Sequence, residues 1–430
     1  MNQISCPAIL VSAPASGQGK TLVTAALARA WRNQGLIVQA FKCGPDFIDS
    51  MVLQAATGRP VYNLDLGMCG LEDGKAQLYR AAQTADVIVV EGVMGLYDGT
   101  PSTADIATAF DLPVALAIDA SGMAQTFAAV THGLYSFEPS LKRAGVIANK
   151  VGSTGHASML KDCLPTNTPW LGALIKDEQL SLPERHLGLH LAQEISDIDA
   201  RIEAAAQMLG NQLPLPHTVS FDAPSKQTLT KPLTGKTIAI AQDAAFCFIY
   251  PANVDCLAAL GAKLLYFSPI QDQNLPEADA YWLPGGYPEL HLDLISKNSA
   301  MRSSLQQALA ANKPILAECG GMMALGTSLN NLSTFGVLEG SSQIQATLQG
   351  LGTQHLTFGD SASESKSPDS TIGAHTFHYG KFDTPMQPAY TATSRYGKGE
   401  AVYRHGSITA SFLHFYFPSN PALAAKFFTS

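Results

Sequence analysis

Residues 8–31 read AILVSAPASGQGKTLVTAALARAW, and this stretch decides the fold of the first half of the chain. An apolar run suited to a buried strand meets a Gly-rich turn and continues into an Ala-rich, helix-like segment. Gly17 and Gly19 let the backbone curl so that successive amides, with those of Ser16 and Gln18, can point at phosphate oxygens. Lys20 adds a cationic point charge, and the Thr21 hydroxyl can ligate a magnesium ion. The usual phosphate-loop pattern, G-x-x-x-x-G-K-[ST], would place its first glycine where this chain has Pro14. The bland alternative is a Gly-rich turn with an incidental lysine. The placement after a first buried strand and before a helix favours nucleotide binding.

The same alternation of short aliphatic runs with helix-like segments continues outward. Strands are expected at 8–13, 37–41, 87–91, 114–118 and 146–149, with helices at 21–32 and 124–135. That pattern implies a doubly wound, mostly parallel α/β sheet. It fails across a Pro-rich stretch read as a linker at 213–235, then restarts at 237–241, 263–267, 280–283 and 314–317. A first domain is therefore expected at 1–212 and a second α/β domain at 236–430, with a polar loop at 359–372.

The 430 residues carry 27 basic and 35 acidic side chains, a formal net charge of −8, with 46% apolar and 14% charged residues. Such a chain has ample core material and no basic block, which argues against nucleic acid or an anionic membrane as partner. No apolar run reaches the roughly 18–20 residues of a membrane span and no leader is visible, so a cytoplasmic location is expected. Seven scattered cysteines without a Cys-x-x-Cys pair give neither a disulfide framework nor a cysteine-rich zinc site. One of them can still be a nucleophile.

Two acidic motifs follow the expected strands: KCGPDFIDS at 42–50 and VVEGVMGLYDG at 89–99. Open parallel sheets bind ligands beyond the carboxyl ends of their strands, so both motifs should face the phosphate loop. Nucleotide phosphate with Mg²⁺ needs hard oxygen ligands, which Asp46 and Glu91 can supply with Thr21. A carboxylate in such a place is, taken alone, more often a helix cap.

In the second half, KPILAECGGMMAL at 313–325 sets Cys319 at a Gly320-Gly321 turn between a strand and a helix, the form of a nucleophile elbow. A helix N-terminus is expected to lower the thiol pKa. Upstream, YWLPGGYPEL at 281–290 places Gly285 and Gly286 after a strand, and their amides with that of Gly320 could form an oxyanion hole. His375, His378, His405 and His414 compete as base. His414, in ITASFLHFYF at 408–417, is favoured because a strand would hold it rigidly. No third member of the site is identified; Tyr416 stands two places after His414.

The motifs KCGPDFID, EGVMGLYDG, LPERHLGL (182–189), PGGYPEL and AECGGMMAL, in this order, resemble the glutamine-dependent cobyrinic acid a,c-diamide synthases over almost the whole chain. The resemblance implies an N-terminal domain for ATP and the corrinoid and a C-terminal class I glutamine amidotransferase domain. It assigns Gly17, Gly19, Lys20 and Thr21 to ATP and Asn149 to the adenine edge. Lys42, Asp46, Asp49 and Glu91 are assigned to phosphate, magnesium or acyl substrate, and Glu184, Arg185 and His186 to the ATP site. Three departures stand out: Thr376 replaces a glutamate, Tyr416 a histidine, and Met68 with its neighbours a tryptophan. The implied reaction is ATP-driven acyl-phosphate formation on two corrinoid carboxylates, with ammonia from glutamine. A homodimer is left open. The rivals are an amidase for another tetrapyrrole, such as nickel-sirohydrochlorin, and a P-loop regulatory ATPase with an inert binding domain.

Overall fold

In the computed structural model, the described residues are 3–429 except 186, 187, 190, 211, 226–229, 359–369 and 396; at 184, 185, 188 and 189 only the backbone is described. The chain divides into two compact units, Met1–Leu66 with Gly70–Lys226, and Gly67–Cys69 with Gln227–Ser430. No described helix is long and apolar enough to cross a membrane.

The first unit carries β1 (Gln3–Ser12), β2 (Val38–Cys43), β3 (Tyr62–Leu64), β4 (Val87–Glu91), β5 (Val114–Asp119), β6 (Arg143–Val151), β7 (Trp170–Ile175) and β8 (Thr218–Asp222). The order is β3-β2-β4-β1-β5-β6-β7, and every neighbouring pair along it is parallel. Side-chain alternation divides each strand between two cores: Ala8 and Leu10 of β1 join one apolar cluster, Ile9 and Val11 the other. A sheet covered on both faces needs nearly continuous apolar strands, and that is why β1, β4 and β5 were legible. β8 was not. It lies inside the stretch expected as linker and pairs antiparallel with the start of β1, from Gln3↔Asp222 to Pro7↔Thr218. Its five residues bury only Val219 and Phe221, an alternation too short to stand out among prolines.

The second unit is also α/β. Its main strands include β9 (Thr237–Ala241), β10 (Lys263–Phe267), β11 (Ala280–Leu283), β12 (Ile315–Glu318), β13 (Gly350–Thr357), β14 (Thr371–His378), β15 (Ala401–His405), β16 (Ile408–Ser411) and β17 (His414–Phe415). The main sheet runs β10-β9-β11-β12-β16-β15, parallel as far as β16, with β15 added antiparallel and the short strand Tyr390–Thr391 antiparallel beyond it. A smaller sheet pairs β13 with β14 and β14 with β17, both antiparallel. Of the loop expected at 359–372, residues 359–369 lie outside the described residues, and Thr371 and Ile372 already belong to β14.

Candidate functional site

Two sites emerge, one in each unit, at the carboxyl ends of parallel strands. In the first, β1 ends at Ser12 and a helix spans Lys20–Asn33. The turn between them needs left-handed backbone at Gly17 (φ +77°) and Gly19 (φ +81°). At Gly19 a Cβ would also fall 2.3 Å from Asn149 Nδ2. Asn149 braces this turn: its Nδ2 donates to the Gln18 carbonyl at 2.8 Å, and its Oδ1 accepts the Lys150 amide at 2.9 Å. Both polar ends of the residue expected at an adenine edge are thus already engaged. Gln18 Oε1 accepts the Asp119 amide at 2.9 Å, and Lys150 pairs with Asp119 at 2.8 Å.

The acidic residues gather around Lys42. Its ammonium, 3% exposed, lies 2.8 Å from Asp49 Oδ2 and 3.2 Å from Glu91 Oε1, and donates to the Gly92 carbonyl at 3.2 Å. The Thr21 hydroxyl donates to Glu91 Oε1 at 2.7 Å. Asp46 Oδ1 accepts the amides of Ile48 and Asp49, so one oxygen of this expected metal ligand serves a helix start. Burial pushes the Glu91 carboxyl up to about 7 and that of Asp46 up to about 6. Burial acts on Asp49 in the same sense, but the Lys42 ammonium outweighs it and holds Asp49 below its ordinary value. For Lys42 burial opposes the charge, yet Asp49, Glu91 and Asp46 together raise its pKa. Burial and then the Lys42 charge lower the pKa of Lys20, whose ammonium donates to the Met94 carbonyl at 2.6 Å.

These groups line a cavity of about 720 Å³ that includes Ser16, Lys20, Thr21, Asp46, Glu91 and Asn149. That volume lies in the ordinary range for small-molecule sites. Among the described residues, no group of three or more His, Cys, Asp or Glu side chains is gathered for a metal ion. Glu91 Oε2, however, is buried without a hydrogen-bond partner among the described residues, and with the Thr21 hydroxyl it offers the hard oxygens that magnesium prefers. The roles expected of Glu184, Arg185 and His186 lie outside the described side chains.

In the second unit β12 ends at Glu318, and Cys319 adopts φ 45°, ψ −108° before a short helix at Gly320–Leu325. This is the strained strand-to-helix corner of an elbow. The crowding explains the glycines. A Cβ at Gly321 would stand 2.1 Å from the Leu283 carbonyl oxygen, and one at Gly320 would stand 2.9 Å from the Gly286 oxygen and 3.0 Å from its nitrogen. The Gly285-Gly286 turn thus lies directly against the elbow, with amides of the kind an oxyanion hole uses.

His414 Cε1 and Cys319 Cβ flank one point: a Cβ on Gly285 would be 2.3 Å from the first and 3.3 Å from the second. His405 is exposed at the end of β15, away from this cluster. His375 is buried and stacks on His414 with centroids 4.7 Å apart, its Nδ1 sharing a hydrogen bond with Tyr250 Oη at 2.7 Å. His378 lies between the Gly380 carbonyl, 2.8 Å, and Glu400, 2.9 Å.

The electrostatics correct one expectation. Cys319 is not activated at rest: burial pushes its thiol well above the ordinary value, and the charge of Glu289 adds to this. Burial also lowers His414 to about 3, helped by His378. The helix that follows has only six residues, and its field does not offset a fully buried thiol. The resting pair is a neutral thiol and a neutral imidazole.

Two family models match the chain: a CobQ/CobB/MinD/ParA nucleotide-binding domain over residues 9–189 and a CobB/CobQ-like glutamine amidotransferase domain over 237–422. The chain is 49% identical to a hydrogenobyrinate a,c-diamide synthase of Stutzerimonas stutzeri, covering 99% of both chains. It is 47% identical to the Pseudomonas aeruginosa protein of the same name, over 99% of this chain and 98% of that one. It is 46% identical to a cobyrinate a,c-diamide synthase of Herminiimonas arsenicoxydans, over 98% and 96%. The chain belongs to the hydrogenobyrinate/cobyrinate a,c-diamide synthase family. As a member of that family it is an amide-forming ligase with a glutamine amidotransferase domain, an enzyme of cobalamin biosynthesis.

Against the pattern of this family, the three departures acquire structural content. Thr376 meets a carboxylate after all: its hydroxyl donates to Glu400 Oε1 at 3.1 Å, and Glu400 comes from the turn before β15. Tyr416 is fully buried, its ring edge-on to Tyr250 at 5.7 Å. Met68 is buried in the second unit, where Tyr250 Oη approaches its sulfur at 3.6 Å.

Sequence reasoning missed Glu318. It accepts Trp282 Nε1 and the Phe415 amide, both at 2.9 Å, which ties the nucleophile strand to β17 beside His414. Burial raises its carboxyl to about 8. A glutamate closing a fully buried apolar strand was the available signal.

Proposed function

We propose that this chain amidates the a and c side-chain carboxylates of hydrogenobyrinic or cobyrinic acid, using ATP to activate each carboxylate and glutamine as the nitrogen source. One observation carries the reading: a phosphate-loop cavity and an elbow cysteine occur in one chain that matches the named synthases from end to end. Relatives at 49% and 47% identity carry the metal-free substrate name and one at 46% the cobalt-bearing name, so the metal-free corrinoid is the first substrate to test.

A carboxylate oxygen is a poor leaving group. Transfer of the γ-phosphate to it gives an acyl phosphate and ADP, and attack by ammonia then forms the amide and releases phosphate. Amides of Gly17, Gln18 and Gly19 with Lys20 would hold the phosphates, with Ser16 and Asn149 shaping the same wall. Thr21, Asp46 and Glu91 would hold magnesium, which when bound neutralises charge on the phosphates. Lys42 and Asp49 would face the transferred phosphate or the substrate carboxylate.

At the other site Cys319 passes its proton to His414 as its sulfur attacks the side-chain amide of glutamine. Amides of Gly285, Gly286 and Gly320 receive the oxyanion, ammonia leaves with the proton from His414, and water releases glutamate from the thioester. Because the resting thiol and imidazole are both neutral, this proton transfer belongs to the glutamine-bound state.

The test is a paired assay with glutamine and with ammonium chloride. Cys319→Ala abolishes glutamine-dependent amidation and retains ammonium-dependent amidation; loss of both defeats the two-site reading. Glutamine hydrolysis by the unmodified chain excludes the regulatory ATPase. Product masses from metal-free corrinoid, cobalt corrinoid and nickel-sirohydrochlorin identify the substrate.

A further inference from the structure

The thiol and the imidazole of the second unit stand on different strands, and one buried side chain ties those strands together. His414 lies on β17, a strand of only two residues. One edge of β17 is laddered to β14, with His375 opposite His414 and Ala374 opposite Phe415. In an antiparallel pair, successive residues turn their backbone groups to opposite edges. The Tyr416 amide accordingly donates to the Gly373 carbonyl at 2.8 Å, while Phe415 turns its own groups away from β14. Side chains receive them: the Phe415 amide donates to Glu318 Oε1 at 2.9 Å, and its carbonyl accepts from Asn253 Nδ2 at 2.8 Å. Asn253 Oδ1 also accepts the Phe417 amide at 2.7 Å.

Of these two clamps, Asn253 belongs to the helix Pro251–Ala259, whereas Glu318 is the residue before Cys319 and closes β12. Its backbone stands opposite Ser411 of β16, whose carbonyl accepts the Cys319 amide at 2.7 Å. The carboxyl of Glu318 therefore spans from the strand that carries the thiol to the strand that carries the imidazole. Its second oxygen, Oε2, accepts Trp282 Nε1 at 2.9 Å, and that indole packs on Phe417 with centroids 5.0 Å apart. Both side chains are fully buried. Two N–H groups thus converge on two oxygens. A carboxyl group satisfies both, but a side-chain amide has one oxygen and would turn its NH2 toward the other donor. A buried donor deprived of its acceptor has to move or lose its bond, and here the group that moves adjoins His414.

We infer that Glu318 is a positioning residue for glutamine hydrolysis: by holding the Phe415 amide it sets the distance between the His414 imidazole and the Cys319 sulfur. The inference rests on the reading of Cys319 and His414 as the glutaminase pair. Glu318 acts through the backbone beside the imidazole.

The experiment is steady-state glutamine hydrolysis and ammonium-driven amidation by the full-length chain and its variants. Glu318→Gln lowers kcat for glutamine roughly tenfold to a hundredfold, the effect of displacing a reacting group by up to about 1 Å, and leaves KM within about threefold. Ammonium-driven amidation is retained. Trp282→Phe removes the second donor, so that the amide can turn its oxygen to Phe415. The double variant Trp282→Phe/Glu318→Gln therefore recovers about tenfold in kcat over Glu318→Gln, although it has lost more packing. A merely structural role gives no such recovery. Should Glu318→Gln not fold, Trp282→Phe/Glu318→Gln is compared with Trp282→Phe/Glu318→Leu, which offers Phe415 no acceptor; the first keeps the higher kcat by about tenfold. The inference is overturned by a folded Glu318→Gln whose glutamine kcat stays within about threefold of the parent, by a double variant that recovers nothing, or by equal kcat in the two double variants. Cys319→Ala separates this failure from the larger one. If the unmodified chain hydrolyses no glutamine, or Cys319→Ala hydrolyses it at the parent rate, the function proposed above fails and this inference with it. If the thiol is required and the Glu318 variants match the parent, this inference alone fails.

Discussion

Gly285→Ala probes the geometry of the thiol site with a single carbon. Gly285 is not among the positive-φ residues, so alanine imposes no backbone strain there. The added Cβ would stand 2.3 Å from His414 Cε1, 3.1 Å from its Nδ1 and 3.3 Å from Cys319 Cβ, where ordinary contact begins at 3.4 Å. The imidazole must therefore retreat by about 1 Å. It has little room, because His375 stacks on it at 4.7 Å and Phe248 approaches at 6.1 Å. Overpacking of this kind costs about 1–3 kcal/mol, which a native domain survives. A displacement near 1 Å of a reacting group costs on the order of 10²-fold in rate. Glutamine hydrolysis at saturating glutamine should fall by that factor, with the melting transition still cooperative and ammonium-driven amidation retained. A folded variant whose glutamine kcat stays within about threefold of the parent would refute the placement of His414 as base.

Lys42→Met leaves Asp49 and Glu91 buried without their counter-charge; removal of one partner of a buried pair costs about 3–5 kcal/mol, so the melting temperature of the first unit should drop by roughly 10 °C. An unchanged transition in scanning calorimetry would mean that the ammonium contributes no net stability. Asn149→Ala removes two bonds that brace the phosphate loop, so KM for ATP should rise about tenfold while ATP-free glutamine hydrolysis is unmoved; an unchanged KM for ATP contradicts the bracing role. Acid should destabilise the second unit through its buried imidazoles. His414 is lowered to about 3 in the folded state against an ordinary 6.5, so the unfolded chain binds the extra proton between those values and stability is lost as pH falls below 6.5. By pH 5 the loss is about 2 kcal/mol for His414, with His375 acting in the same direction. Glu318, raised to about 8 from 4.5, contributes the opposite slope between those values. The acid limb of a denaturant titration on His414→Gln should flatten by that amount relative to the parent, and an identical limb would show that His414 is protonated in the folded state.

What the sequence disclosed, and what it hid, follows from the range of the forces involved. The phosphate turn was legible because its requirements are local: Gly17 and Gly19 need left-handed backbone within a few residues of Lys20. The elbow was legible for the same reason, since Cys319, Gly320 and Gly321 are consecutive. The pairing of Lys42 with Asp49 and Glu91 was half legible, as carboxylates at strand ends. That burial would raise the carboxyls of Glu91 and Asp46, while the Lys42 ammonium holds Asp49 low against its own burial, could come only from the packing around them. The surroundings of His414 were not legible at all. Glu318, His375 and Tyr250 reach it through β12, β14 and a helix start far apart in the chain, and no spacing rule links them. The thiol pKa failed because a local argument, the helix N-terminus, was set against a global one, complete burial. A six-residue helix contributes its field only at its first turn, whereas desolvation acts on the thiolate from every side. On the proposed reading of Cys319 as the glutaminase nucleophile, a thiol that rests protonated gives up its proton only as its sulfur attacks bound glutamine, so activation would be tied to the arrival of the substrate.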